Sequence, residues 1–225
     1  VTLVRYSTIV FDWDGTLVDS ERHIVSCIAE SAQVCDLPEL SYARMKSIIG
    51  LGMKEALFEL YPNITEDQIQ TLRAHYSKQF HKNEGAELSL FPDVFDVLKE
   101  LKDRGFVLAV ATGKSRRGLD MAKEQSGLGQ FFDIERCADE TRSKPHPQML
   151  IEISDHLKVP RDQMLMVGDT TFDMEMAQKA QMPSVGVSYG VHAVKSLRQY
   201  NPKRIVDAMP ELLAWLVESH DDIKL

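Results

Sequence analysis

Residues 11–20, Phe11-Asp12-Trp13-Asp14-Gly15-Thr16-Leu17-Val18-Asp19-Ser20 (FDWDGTLVDS), place two carboxylates two positions apart directly behind the apolar run 7–11, STIVF. A run rich in β-branched residues, with no sustained polar alternation, reads as a strand buried on both faces. Such strands belong to parallel sheets covered by helices on either side. Three further runs share this character, at 107–111 (VLAVA), 164–167 (MLMV) and 184–187 (SVGV), and 204–206 is a weaker fifth. Helical periodicity fills the intervals at 94–104, 116–125, 147–157, 172–180 and 211–218. Asp93 ahead of the first helix and Gly105 behind it are start and stop signals. Strands alternating with helices predict an α/β fold with a Rossmann-like parallel-sheet core.

The alternation is interrupted once. From about residue 20 to residue 83 there is no strand signal, and helical patterns appear at 21–34, 42–48, 54–60 and 66–80. The expected organisation is a helical cap domain, 17–85, inserted after the first strand, with the core formed by 1–16 and 86–225. Its exits, 15–19 and 85–92, both carry turn residues. Ile69, Leu72, Tyr76 and Phe80 fall at helical spacing and are expected to form cap core. The link 49–54, IGLGMK, joins two cap helices. Its glycines suit either a close approach to substrate or a plain helix–helix turn.

With 225 residues and 44% hydrophobic content the chain can bury a substantial core. A net charge of −8 argues against nucleic acid as a partner, and the sparse group Lys195, Arg198, Lys203 and Arg204 does not reverse this. Cys27, Cys35 and Cys137 are odd in number and form no CxxC pair, so neither a disulfide framework nor a zinc site is expected. The opening segment meets Asp12 before a signal-peptide core can form, and no run approaches the length of a membrane span. The expectation is a cytoplasmic protein without membrane or nucleic-acid partners, a monomer or weak homodimer.

In open α/β sheets ligands gather beyond the carboxyl ends of the strands. Asp12, Thr112-Gly113 and Gly168-Asp169 occupy such positions, and Lys144 lies in the loop 141–147, TRSKPHP, ahead of a helix. Asp12, Asp14 and Asp169 are expected to form an acidic cluster. Packed carboxylates resist joint ionisation unless a cation joins them, and an oxygen-rich site with few protein ligands suits Mg²⁺. The Thr112 hydroxyl and the Lys144 ammonium suit a phosphoryl group gathering negative charge. Asp12 can then act as nucleophile and Asp14 as proton carrier, with Gly15 permitting the turn and Thr16 tying it down.

These four segments resemble the motifs of the haloacid dehalogenase-like (HAD) superfamily, specifically its phosphatases with a helical cap after the first motif. FDWDGTLVDS resembles the first motif, Ala111-Thr112-Gly113-Lys114 the second, Ser143-Lys144-Pro145-His146-Pro147 the third, and Val167-Gly168-Asp169-Thr170-Thr171-Phe172-Asp173 the fourth. The resemblance implies Asp12 as nucleophile, Asp14 as acid/base, and Thr112, Gly113 and Lys144 as phosphate binders. It implies Mg²⁺ held by the Asp12 side chain, the Asp14 backbone carbonyl and Asp169, with Gly15, Thr16 and Asp173 in support. The implied substrate is a small-molecule phosphate ester, as in phosphoglycolate-phosphatase-like members. Dehalogenating and phosphonate-hydrolysing relatives lack an acid at the position of Asp14, so Lys54 is not expected to form a Schiff base. A phosphosugar mutase of the same fold would retain Asp14. A receiver-type, non-catalytic phospho-accepting signalling module is a rival from another class, but has no helical insertion. His23 is expected on a helix surface and His146 to shape its loop.

Overall fold

The computed structural model describes residues 6–82 and 89–221, apart from the side chains of residues 81 and 219–221. Strand β1 (Thr8–Phe11) is buried along its whole length. It lies between β4 (Val107–Thr112) and β6 (Met164–Gly168), paired in parallel with both. The sheet extends through β5 (Ile134–Cys137) on one side and through β7 (Ser184–Val187) and β8 (Arg204–Val206) on the other. Its order is β5-β4-β1-β6-β7-β8, all parallel.

The two-residue repeat of the strands separates two apolar layers. Ile9, Phe11, Leu108, Val110, Leu165 and Val167 point to one face. There they pack against α5 (Val94–Asp103), α6 (Arg116–Ser126) and α10 (Met209–Asp221). Val10, Ala109, Ala111, Met164 and Met166 point to the other, against α7 (Gln148–Leu157) and α8 (Thr171–Lys179). Burial on both faces is why the sequence shows continuous apolar runs there. β5 escapes that pattern because it is an edge strand. Its half-buried centre, Glu135 and Arg136, pairs with Arg116 and Glu152 instead of a core. Asp93 does not cap α5 through its side chain; it sits at φ +63°, a left-handed turn residue.

Among the described residues four helices lie between β1 and α5: α1 (Glu21–Val34), α2 (Tyr42–Lys46), α3 (Met53–Leu60) and α4 (Glu66–Lys82). α2 is shorter than expected, since turns take over from Ser47. Ile24, Ile28, Leu57, Ile69 and Leu72 anchor an apolar cluster separate from both sheet layers, joined from outside the insertion by Val191. The exits form a small antiparallel pair, β2 (Val18–Asp19) with β3 (Ser89–Leu90), in place of turns alone. The expected boundary at 85/86, residues 85–88 of the expected exit and residues 1–5 of the opening segment lie outside the described residues.

All three cysteines are free and buried. Among the described residues no helix is long and apolar enough to cross a membrane.

Leu72 is fully buried at the centre of the helical insertion. Leu72→Ala is expected to lower stability by about 2–5 kcal/mol, the combined cost of lost transfer energy and a cavity. Urea denaturation followed by circular dichroism measures this, and an unchanged midpoint would contradict a packed insertion core.

Candidate active site

At the carboxyl end of β1 the backbone N–H of Asp12 donates to the carbonyl of Val167 at 2.9 Å, continuing the register with β6. The Asp12 side chain is 1% exposed. Its Oδ1 accepts from Trp13 N–H at 2.7 Å and from Lys144 Nζ at 2.7 Å. Lys144, equally buried, also donates to Asp173 Oδ1 at 2.7 Å. Asp173 is held by the start of α8, where Thr170 and Asp173 form a reciprocal capping box. Lys144 and Asp173 thus form a direct, buried ion pair.

Asp169 follows β6. Its Oδ1 accepts from Thr16 Oγ1 at 2.8 Å and its Oδ2 from Val191 N–H at 2.7 Å. Two glycines leave room for it. A Cβ on Gly15 would lie 2.3 Å from Asp169 Oδ2, and one on Gly190 2.2 Å from Asp169 Cβ. Gly15 also has φ +79°, which a side chain disfavours. Tyr189 Oη donates to the carbonyl of Thr16 at 3.0 Å and fixes the far side of the same turn.

The acidic cluster differs from the expected one. Asp12, Asp169 and Asp173 bring carboxylate oxygens within 4.8 Å of one another. The Asp14 carboxylate is held elsewhere: its Oδ1 accepts from Ser20 Oγ at 2.6 Å and pairs with Lys114 Nζ at 3.1 Å. Two side chains two positions apart point the same way only on a regular extended chain. Here the backbone leaves the strand at Asp12 and turns at Gly15, where Gly15 N–H donates to Val18 O. Asp14 therefore faces a different set of partners.

Charge in the cluster does not balance. Burial pushes the Asp12 carboxyl well above its ordinary range; Lys144 opposes this, while Asp173 and Asp169 add to it. Burial, then Asp173, pushes Asp169 up to about 7. Burial alone would lower Lys144, but Asp12 and Asp173 outweigh it and hold the ammonium charged. Three buried carboxylates face one cation, and Asp12 Oδ2 is buried without a hydrogen-bond partner. An all-oxygen donor set short of positive charge fits a hard divalent cation.

Thr112 is fully buried and its Oγ1 accepts from Lys114 N–H at 3.2 Å. The link between α2 and α3 lies directly over Gly113, where a Cβ would sit 2.5 Å from the Leu51 carbonyl oxygen. Gly52 N–H donates to Ser143 Oγ at 2.7 Å, beside Lys144. His192 Nδ1 accepts from Thr171 N–H at 3.0 Å, which leaves Nε2 protonated to face the Ser47 carbonyl at 3.3 Å. The insertion and the sheet edge thus enclose a cavity of about 530 Å³ that reaches Asp12 and Asp14.

Lys114, Ser20, Ser143 and His192 were not singled out by the sequence reading. Lys114 and Ser20 do adjoin predicted residues, at the ends of ATGK and FDWDGTLVDS. Ser143 and His192 matter through contacts spanning the fold, to Gly52 and Ser47, which no local pattern reveals. His23 packs on Phe80, with ring centroids 4.5 Å apart. His146 Nδ1 accepts from the N–H of Gln148, the first residue of α7. Lys54 pairs with Glu66 at 3.5 Å on the surface.

The haloacid dehalogenase-like hydrolase family model matches residues 9–187. The chain is 32% identical over 209 residues to the probable phosphatase IndB of Dickeya dadantii, covering 91% of each chain. It is 26% identical over 211 residues to the pyrophosphatase PpaX of Bacillus cereus, covering 93% of this chain and 96% of that one. A crystal structure of a predicted phosphoglycolate phosphatase from Haemophilus somnus superposes with a TM-score of 0.84 at 25% identity, covering 93% of this chain and 97% of that one.

Gly15→Ala forces a methyl group against the Asp169 carboxylate at a positive φ. The expected cost is about 1–3 kcal/mol from the strained backbone, with the contact adding to it. Chemical denaturation measures this, and wild-type stability would show that Asp169 is not confined by the turn.

Proposed function

The chain belongs to the haloacid dehalogenase-like hydrolase family, and we propose that it is a Mg²⁺-dependent phosphatase that hydrolyses a small phosphomonoester through an aspartyl-phosphate on Asp12. The observation that carries this reading is the Asp12 carboxylate. One oxygen is fixed by Lys144 and Trp13, and the other is buried without a partner among groups short of positive charge.

In the first step an Asp12 carboxylate oxygen forms a bond to phosphorus as the bond from phosphorus to the ester oxygen breaks. Asp14 delivers a proton to the departing oxygen. In the second step Asp14 accepts a proton from a water molecule that attacks the phosphorus, releasing inorganic phosphate and restoring Asp12. Lys144, the Thr112 hydroxyl and the Gly113 backbone N–H bind phosphoryl oxygens. Asp173 keeps Lys144 in place, while Gly15 and Thr16 shape the turn that carries Asp14. Asp12, Asp169 and the Asp14 backbone carbonyl would hold Mg²⁺, which supplies charge neutralisation to the phosphoryl oxygens when bound.

The separate apolar cluster of residues 24–80 supports reading 17–85 as a cap domain and 1–16 with 86–225 as the core. Contacts of Leu51 and Gly52 with Gly113 and Ser143 support a cap that excludes bulk water during transfer.

Asp12→Asn is expected to abolish phosphate release in a Mg²⁺-supplemented screen of phosphate esters, with the fold intact by circular dichroism. Substantial residual turnover, in protein free of other phosphatases, removes Asp12 from this role. Asp14→Asn should slow turnover by about 10²–10⁴-fold, the ordinary range of acid–base assistance. An unaffected rate would require another proton carrier. Sustained release of phosphate to water also separates this reading from a mutase and from a signalling module.

Mg²⁺ at millimolar concentration is expected to raise the thermal midpoint of the resting protein, because a ligand bound only by the folded state stabilises it. Asp169→Asn should remove that increase. An equal increase in the variant would place the ion elsewhere.

A further inference from the structure

Granting that this site is a phosphatase, we propose that the ester it cleaves carries an apolar, ring-sized leaving group and not a compact anion. The cavity of about 530 Å³ lies within the usual range for small organic ligands, about 300–1,000 Å³. One end reaches the carboxylates of Asp12 and Asp14 and the backbone of Gly113, where the phosphoryl group belongs. Beyond them much of the wall comes from the helical insertion, where Ile24, Ile28, Ile48, Ile49, Leu57 and Phe80 present an apolar surface beside charged groups.

The apolar wall begins beside the group proposed to protonate the leaving oxygen. Lys114 Nζ pairs with Asp14 at 3.1 Å and lies 4.7 Å from the centroid of the Phe80 ring. Tyr76 stacks on Phe80 with centroids 5.6 Å apart and planes at 28°. A flat leaving group whose oxygen takes its proton from Asp14 would extend along this aromatic pair, gaining burial and ring contacts.

A second anionic group meets mixed charge, since two of the four cations lining the cavity are already paired. Lys114 is already paired with Asp14, and Lys54 with Glu66. The other two cations lining the cavity, Arg73 and Arg117, are solvent-exposed. Asp14, Glu55 and Asp139 line the same space and would repel an added carboxylate or phosphate. A phosphorylated two-carbon acid or pyrophosphate would leave the apolar walls against water.

The test compares benzyl phosphate, ethyl phosphate, phosphoglycolate and pyrophosphate on the Mg²⁺-supplemented full chain. Benzyl and ethyl phosphate both release a primary alcohol, so their ratio reports binding of the ring. Benzyl phosphate is expected to exceed each of the others in kcat/KM by about tenfold or more, the scale on which apolar pockets discriminate size. Phe80→Ala should lower the benzyl-to-ethyl ratio by about fivefold or more, as an aromatic wall is lost. Because that change touches a packed helix, the wild type gives an independent reading: benzylphosphonate should inhibit about tenfold more tightly than ethylphosphonate. Equal inhibition by the two phosphonates, or preferred cleavage of phosphoglycolate or pyrophosphate, would overturn the apolar assignment and leave the phosphatase reading standing. No Asp12-dependent cleavage of any of the four compounds would overturn both.

Discussion

Lys144 is an ammonium with almost no access to water, placed between Asp12 and Asp173 at 2.7 Å from each. An unpaired charge in that position would be prohibitive, and removing one partner of such a pair typically costs about 3–5 kcal/mol. The surrounding structure reads as the means of keeping this arrangement. β1 delivers Asp12, the capping box of α8 delivers Asp173, and the loop ahead of α7 delivers Lys144. Asp169 adds a further carboxylate, which leaves the group short of positive charge. A core chosen for stability alone would not hold three acids around one base. The imbalance makes chemical sense when a metal ion and a phosphoryl group are part of the working site.

The second constraint is the close approach of backbones. Gly15 and Gly190 make room for Asp169, and Gly113 lies against the carbonyls of Gly50 and Leu51. The first pair sets the acidic group and the second sets the roof over it. Asp14 links the two regions, since its partner Lys114 also lies over Phe80 of the helical insertion. Whatever occupies the cavity therefore lies against both the insertion and the proposed proton carrier, which would couple recognition to the chemistry.

Much of this was legible in the sequence. The central strands announced themselves because both faces are buried, and the insertion because helical periodicity replaced strand signals over a long interval. The positions of Asp12, Thr112 and Asp169 followed from where those strands end, and that of Lys144 from a loop ahead of a helix. Elements with mixed environments were not legible: β5 is an edge strand with a charged centre, and β2 with β3 is too short for a pattern. The direction of the Asp14 side chain was missed for a related reason, since it depends on where the backbone leaves the strand. Ser143 and His192 act across the fold, and only the assembled tertiary structure shows their partners.

The central claim is that Asp12 carries the phosphoryl group between its two bonds. The most direct measurement is acid quenching of the enzyme during turnover of a cleaved ester, followed by mass spectrometry of the peptide containing Asp12. The account predicts one phosphoryl group on Asp12 in the wild type, lost when the sample is held at alkaline pH and absent from Asp12→Asn. A wild-type enzyme that turns over while Asp12 stays unmodified at every quench time, with inversion at a chiral phosphorus in place of the net retention that two displacements give, would contradict it.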